Sequence, residues 1–176
     1  MPLLPIRIYD DPVLRATAQP IAQVEERHRL LARDMAETMY DARGIGLAAN
    51  QVGVLERVII VDVDWSEKRG KAAGRNPIAM FNPEILEESV EDDTYEEGCL
   101  SLPEILGDVW RPIKIRYRYL DQAGRVVEAE AEDLQARCIQ HEIDHLNGVL
   151  FIDHMEPAAR QKLAGKLAKL RESRKA

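Results

Sequence analysis

A chain of 176 residues that is 45% hydrophobic and 31% charged can bury one core without disulfide staples, and a second domain is not expected. Its net charge of −7 and sequence pI near 5.2 exclude a general polyanion-binding surface, so nucleic acid is not the expected substrate and no direct DNA binding is expected.

Met1-Pro2-Leu3-Leu4-Pro5-Ile6-Arg7 shows no charged start, long apolar run or small-residue cleavage site. No apolar stretch approaches membrane-spanning length either. A soluble, cytoplasmic monomer is therefore expected, with Cys99 and Cys138 as thiols. Pro2, Pro5, Pro12 and Pro20 keep the first segment from forming a long helix. From Gln23, the residues Val24, Leu31, Met35 and Met39 recur at helical spacing, and Gly44 supplies a stop just after Arg43. His28, inside that helix, reads as an ordinary surface or boundary histidine.

Gly44-Ile45-Gly46-Leu47-Ala48-Ala49-Asn50-Gln51 follows at once. Two glycines one residue apart permit backbone angles, or a close backbone approach, that a side chain would block. The third glycine of a dinucleotide site is missing. Gln51 offers an amide donor. Leu55 to Asp64 reads as a strand, with Val58-Ile59-Ile60-Val61 nearly continuous. Ser66 to Pro77 is expected to be a solvated loop. The apolar piece Ile78-Ala79-Met80-Phe81 is expected to end at Asn82-Pro83, with Ile85-Leu86 beginning another short strand.

After the acidic run Glu91 to Glu96, Glu97-Gly98-Cys99-Leu100-Ser101-Leu102-Pro103 suggests an irregular turn exposing a thiol beside backbone N–H groups. Ile113, Ile115, Tyr117 and Tyr119 alternate with Lys114, Arg116 and Arg118; Val127, Ala129 and Ala131 alternate with Glu128, Glu130 and Glu132 on the return. This is a hairpin, and its charges set register rather than mark a binding site. A helix follows, with Asp133 as expected N-cap and Asn147-Gly148 at its end.

In that helix Leu134, Cys138, His141 and His145 form one inward stripe, and Glu142 stands beside the first histidine. Two imidazoles one turn apart can hold a metal, and the carboxylate next to them can carry a proton. A catalytic metal site takes three protein ligands as a rule, and Cys99 can supply the third as a thiolate. From Glu156 the tail reads as a basic helix, with Leu163, Leu167 and Leu170 on one face.

The segments Gly44 to Gln51, Glu97 to Ser101 and Gln140-His141-Glu142-Ile143-Asp144-His145, in this order and spacing, closely resemble the three motifs of the bacterial-type peptide deformylases. The similarity covers nearly the whole chain. It implies one catalytic domain over 1–176 of α+β class, with small mixed or antiparallel sheets packed around a central metal-bearing helix. An N-terminal helix and a C-terminal helix, at about 156–176, complete it. It implies removal of the N-formyl group from the initiator methionine of nascent polypeptides. One divalent metal ion would be held by Cys99, His141 and His145. The ligand types accept iron, zinc, nickel or cobalt; the resemblance favours ferrous iron.

Glu142 would then be acid and base, with Gln51 and the Leu100 backbone N–H as the oxyanion-stabilising pair. Gly46 would let the backbone approach the substrate, and Ile45, Leu134 and Cys138 would line the methionine side-chain pocket. Glu97 and Arg111 are expected to pair and brace the Cys99 segment. The basic tail would contact the ribosome. Two alternatives stand beside this reading: a zincin-type peptidase, for which His154 is the only downstream histidine, and a non-catalytic metal-binding module, which has no need of Glu142.

Overall fold

The computed structural model describes residues 2–65 and 74–175. The solvated loop expected over Ser66 to Pro77 falls mostly on 66–73, outside the described residues, and the side chains of Arg174 and Lys175 also lie outside them.

Strand β2 (Val58–Val61) explains the architecture. Successive strand residues face opposite sides, and both sides of β2 are covered. Ile59 and Val61 pack with Ala136, Ile139 and Ile143 of helix α2 (Asp133–Leu146). Val58 and Ile60 pack with Met35 and Met39 of helix α1 (Glu26–Asp41). Burial on both faces is why this strand is apolar throughout rather than alternating. It belongs to a five-stranded antiparallel sheet in the order β1-β2-β3-β6-β7, with β1 at Gly46–Ala48, β3 at Ile78–Glu88, β6 at Lys114–Leu120 and β7 at Val126–Glu132. A separate antiparallel pair joins β4 (Asp92–Cys99) to β5 (Leu102–Pro112). The α+β class and antiparallel sheets match the expectation.

The prolines of the first segment allow only one short 3-10 turn, Pro12–Arg15, capped by Asp11. In α1, His28 is 1% exposed, not a surface residue. Its Nδ1 accepts from the Glu25 backbone N–H at 2.9 Å, so it closes the N-terminus of the helix. At the other end Arg43, not Gly44, adopts the left-handed conformation (φ 59°). The Gly44 N–H reaches back to Met39 O at 2.8 Å, completing a Schellman turn. Glycine at 44 leaves room for Leu100: a Cβ there would stand 2.8 Å from Leu100 Cδ1, and that side chain would have to shift.

Strand β3 does not stop at Asn82-Pro83 but continues to Glu88 through a bulge. Asn82 takes φ 51°, and its side chain pairs both ways with the Ile21 backbone, at 2.7 Å each. The bulge absorbs the missing N–H of Pro83. The β6–β7 hairpin forms as expected, Lys114 opposite Glu132 through Leu120 opposite Val126, and its charges pair outward, Arg116 with Glu87 and Glu128.

Strand β7 runs into α2 without a loop. Asp133 is therefore not the N-cap; it is the first helical residue, turned to φ 50° at the corner, and Glu132 occupies the cap position. At the far end Gly148 (φ 73°) and Val149 close the turn, Val149 N–H bonding Asp144 O at 2.9 Å. Helix α2 is buried nearly all round, including Arg137, Gln140 and Glu142, so its inward stripe is one side of a central helix. The tail forms α3 (Pro157–Lys162) and α4 (Ala164–Lys175). Leu167 docks with Leu102, Ile105, Val109 and Phe151 of a third cluster.

Candidate metal centre

Cys99 arrives at the end of β4, where the register slips between Gly98 and Cys99 and a two-residue turn, Leu100-Ser101, leads into β5. The expected irregular turn is thus a bulge and a tight connection. His141 and His145 come from α2 with ring centroids 5.0 Å apart. One ligand atom from each of Cys99, His141 and His145 falls within 4.8 Å of the others, and Cys99 Sγ lies 3.2 Å from His145 Nε2. Donors around a tetrahedral zinc-sized ion, at about 2.3 Å for sulfur and about 2.0 Å for nitrogen, are of comparable separation. The three residues fit a metal.

The outer bonds fix which nitrogen faces that ion. His141 Nδ1 meets Glu97 Oε2 at 2.9 Å, leaving Nε2 for the ligand position, and its ring stacks on Phe151. Burial and the neighbouring His141 push His145 well below its ordinary pKa, toward the neutral form that metal binding requires. For His141, burial is outweighed by the hydrogen bonds with Cys99 and Glu97, which raise it.

Glu97 is the hub. Arg111 donates to its carboxylate through Nε at 2.6 Å and Nη2 at 3.1 Å, and Arg137 through Nη1 at 2.8 Å. Burial alone would raise this carboxyl, but His141 and Arg111 hold it well below the usual range. The expected Glu97–Arg111 pair is therefore present, and buried.

Beside the ligands, Glu142 is 4% exposed and its Oε2 has no hydrogen-bond partner. Burial raises its carboxyl to about 7. Gln51 lines the same cleft, with its amide N–H groups aimed at the Cys99 turn. Its Oε1 accepts from Ala48 N–H at 2.9 Å, which fixes the amide orientation. Nε2 then donates to Ser101 Oγ at 3.1 Å and approaches Cys99 Sγ at 3.4 Å.

These groups open on a cleft of about 450 Å³. Gln51, Cys99, Leu100, His141 and Glu142 line it, and so do Ile45, Gly46, Leu134 and Cys138. Of the expected site residues, His145 alone lies behind the wall, 1% exposed. The Cys138 thiol stands outside the ligand group, 3.5 Å from Ile45 O, and burial raises it well above its ordinary value. His154 bonds Asp144 Oδ2 at 2.8 Å and is outside the ligand group as well.

Arg137, Asp144, Ser101 and Phe151 were not read from the sequence. Arg137 carried a signal: a cation one helical turn before His141, on a stripe otherwise facing inward, demands a buried anion. Phe151 carried none.

A sequence profile of the polypeptide deformylase family matches residues 3–161. The chain belongs to that family. A peptide deformylase of Methylocella silvestris is 53% identical over 169 residues, covering 96% of this chain and 85% of its own. The crystal structure of peptide deformylase from Thermotoga maritima superposes with a TM-score of 0.81 at 43% identity, covering 89% of this chain and all of that one. A peptide deformylase from Synechococcus elongatus, solved in complex with actinonin, gives a TM-score of 0.84 at 36% identity over 99% of this chain and 89% of its own. Deformylases are metal-dependent hydrolases that remove the N-formyl group from nascent peptides, and this chain is one of them. Among the described residues no helix is long and apolar enough to cross a membrane.

Proposed function

We propose that one ferrous ion, held by Cys99 Sγ, His141 Nε2 and His145 Nε2, serves deformylation in a single catalytic domain spanning 1–176. When bound, the ion supplies Lewis acidity that activates water and polarises the formyl carbonyl. The choice of iron rests on the family resemblance, and metal analysis after purification without air decides it.

Glu142 takes the proton of the attacking water and passes it to the leaving amine. Its unpartnered oxygen and near-neutral carboxyl suit both directions of transfer. The Gln51 amide, oriented by Ala48, and the Leu100 backbone N–H face the oxygen that gains charge as the carbonyl becomes tetrahedral. Such a donor contributes about 2.7–4 kcal/mol in other hydrolases. Ile45, Leu134 and Cys138 receive the methionine side chain, while Gly46 keeps the backbone near it. The products are formate and a free methionyl amine.

One observation carries this reading: a buried carboxylate without a partner stands in the cleft wall, adjacent in sequence to a ligand histidine. A structural metal site has no use for it. Glu142→Gln is expected to retain the metal and to lose turnover of an N-formyl-methionyl peptide by at least about 100-fold; turnover at the parent rate refutes the assignment.

The work is assigned to the cytoplasm, supported by two free thiols, one of them needed as a thiolate ligand. The exposed Lys162, Lys166 and Lys169 on α3 and α4 support a ribosome contact, as a basic face on an acidic protein favours RNA phosphates.

A further inference from the structure

The ligands come from two different bodies of the fold. Both histidines sit on α2, beneath the five-stranded sheet, whereas Cys99 ends a strand of the separate two-stranded sheet. Glu97, two residues before Cys99, ties the two together.

All four acceptor directions of that carboxylate are filled. Oε1 accepts from Arg111 Nε and Arg137 Nη1, and Oε2 from Arg111 Nη2 and His141 Nδ1. The two arginines are not equivalent. Arg111 belongs to β5, hydrogen-bonded neighbour of β4, so its grip on Glu97 itself stays inside the two-stranded sheet, and it reaches α2 only through Nη1 to Asp144 Oδ2 at 2.8 Å, beyond His141 from residue 137. Arg137 belongs to α2, one turn before His141, and its other donors reach Val109 O at 2.9 Å and Asp93 O at 2.9 Å. Helix α2 therefore grips both strands, and holds one carboxylate through residues 137 and 141 together.

We propose that Arg137 is a positioning residue for the metal centre: by clamping β4 to α2 through Glu97, it fixes the span between the Cys99 sulfur and the two histidines. It touches no ligand atom itself. The proposal rests on the ligand assignment above. A planar guanidinium is required, because Glu97, Val109 and Asp93 are met by one rigid fork that an ammonium cannot reproduce.

The test is cobalt(II) titration of the metal-free full chain for the parent, Arg137→Met and Arg137→Lys. Affinity is read by chelator competition, and the thiolate-to-cobalt charge-transfer and ligand-field bands report Cys99. Thermal unfolding of each metal-free protein is followed in parallel. Arg137→Met is expected to weaken cobalt binding about 10–100-fold and to shift the thiolate band, with Arg137→Lys in between. A folded Met variant with the parent's affinity and spectrum overturns the proposal, even if its unfolding temperature falls. Should the Met variant not fold, the Lys variant decides on the same terms. A parent protein without a thiolate band overturns the ligand assignment, and the positioning role with it.

Discussion

Gly46 lies against Glu142: a Cβ at this position would run into the Glu142 carboxylate and stand 2.7 Å from Cys138 Sγ. The bare backbone of β1 is what allows Glu142, the proposed proton carrier, to sit in the cleft wall. Gly46→Ala is expected to displace Glu142 while leaving Cys99, His141 and His145 in place. Turnover should fall on the order of 100-fold, the usual consequence of a displacement near 1 Å at a reacting centre, with the metal-to-protein ratio unchanged. Kinetics and metal analysis on the same preparation check both halves.

The buried Glu142 carboxyl costs stability. Glu142 rises from 4.5 to about 7, so folding favours its protonated form. Its contribution is fully present below the unfolded value and is lost as pH rises through about 7. At pH 8 the metal-free protein carries a penalty of about 3 kcal/mol at this residue. Glu142→Gln should therefore raise the unfolding temperature of the metal-free protein at pH 8 and have little effect at pH 4. An unchanged or lowered temperature at pH 8 would count against burial as the origin of the shift.

Glu97 has the opposite sign. Its carboxyl is depressed in the folded state, so its stabilisation is complete above the unfolded value near 4.5 and is lost as pH falls below it. Below pH 5 His141 is charged in both states and adds little slope, whereas His145, held neutral by burial, adds a slope of its own in parent and variant alike. In metal-free protein between pH 5 and pH 2, Glu97→Gln should flatten the decline of unfolding temperature with acid, and it should be less stable than the parent at pH 5. A parallel pair of curves would show that Glu97 does not drive acid unfolding.

Lys166 and Lys169 are exposed on α4, whereas Leu167 between them is buried. Reversing both lysines to glutamate should leave the unfolding temperature and short-peptide turnover within experimental error, and weaken ribosome binding. The defect should shrink as salt is raised, since phosphate contacts are screened. Sedimentation with ribosomes at two salt concentrations measures it. Equal binding by both proteins would remove α4 from the contact.

Elements whose side chains divide cleanly between two environments were legible in the sequence. The β6–β7 hairpin alternates because one face is core and the other solvent, and β2 is apolar throughout because both faces are covered. Strand β4 was not legible. Its one buried position is Glu97, a carboxylate, and Tyr95 is exposed, so no apolar alternation marks it as a strand. The continuation of β3 past Pro83 depends on Ile21, 61 residues away, pairing with the Asn82 side chain, which no local pattern encodes.

At the metal centre, ligand types and spacing pointed to Cys99, His141 and His145, because a metal limits its donors to few kinds. The groups that hold those donors were harder to see. Arg137, Asp144 and Phe151 act through contacts between distant segments, and arginine or phenylalanine has many other uses.

The residues proposed for catalysis are spread along the chain: Gln51 in its first third, Cys99 beyond the middle, and Glu142 with both histidines near the end. During synthesis no partial product holds them all until α2 has emerged and β4 has closed on it. A chain still short of His145 therefore lacks at least one of these groups, and the metal centre can assemble only once synthesis has reached the last third of the sequence.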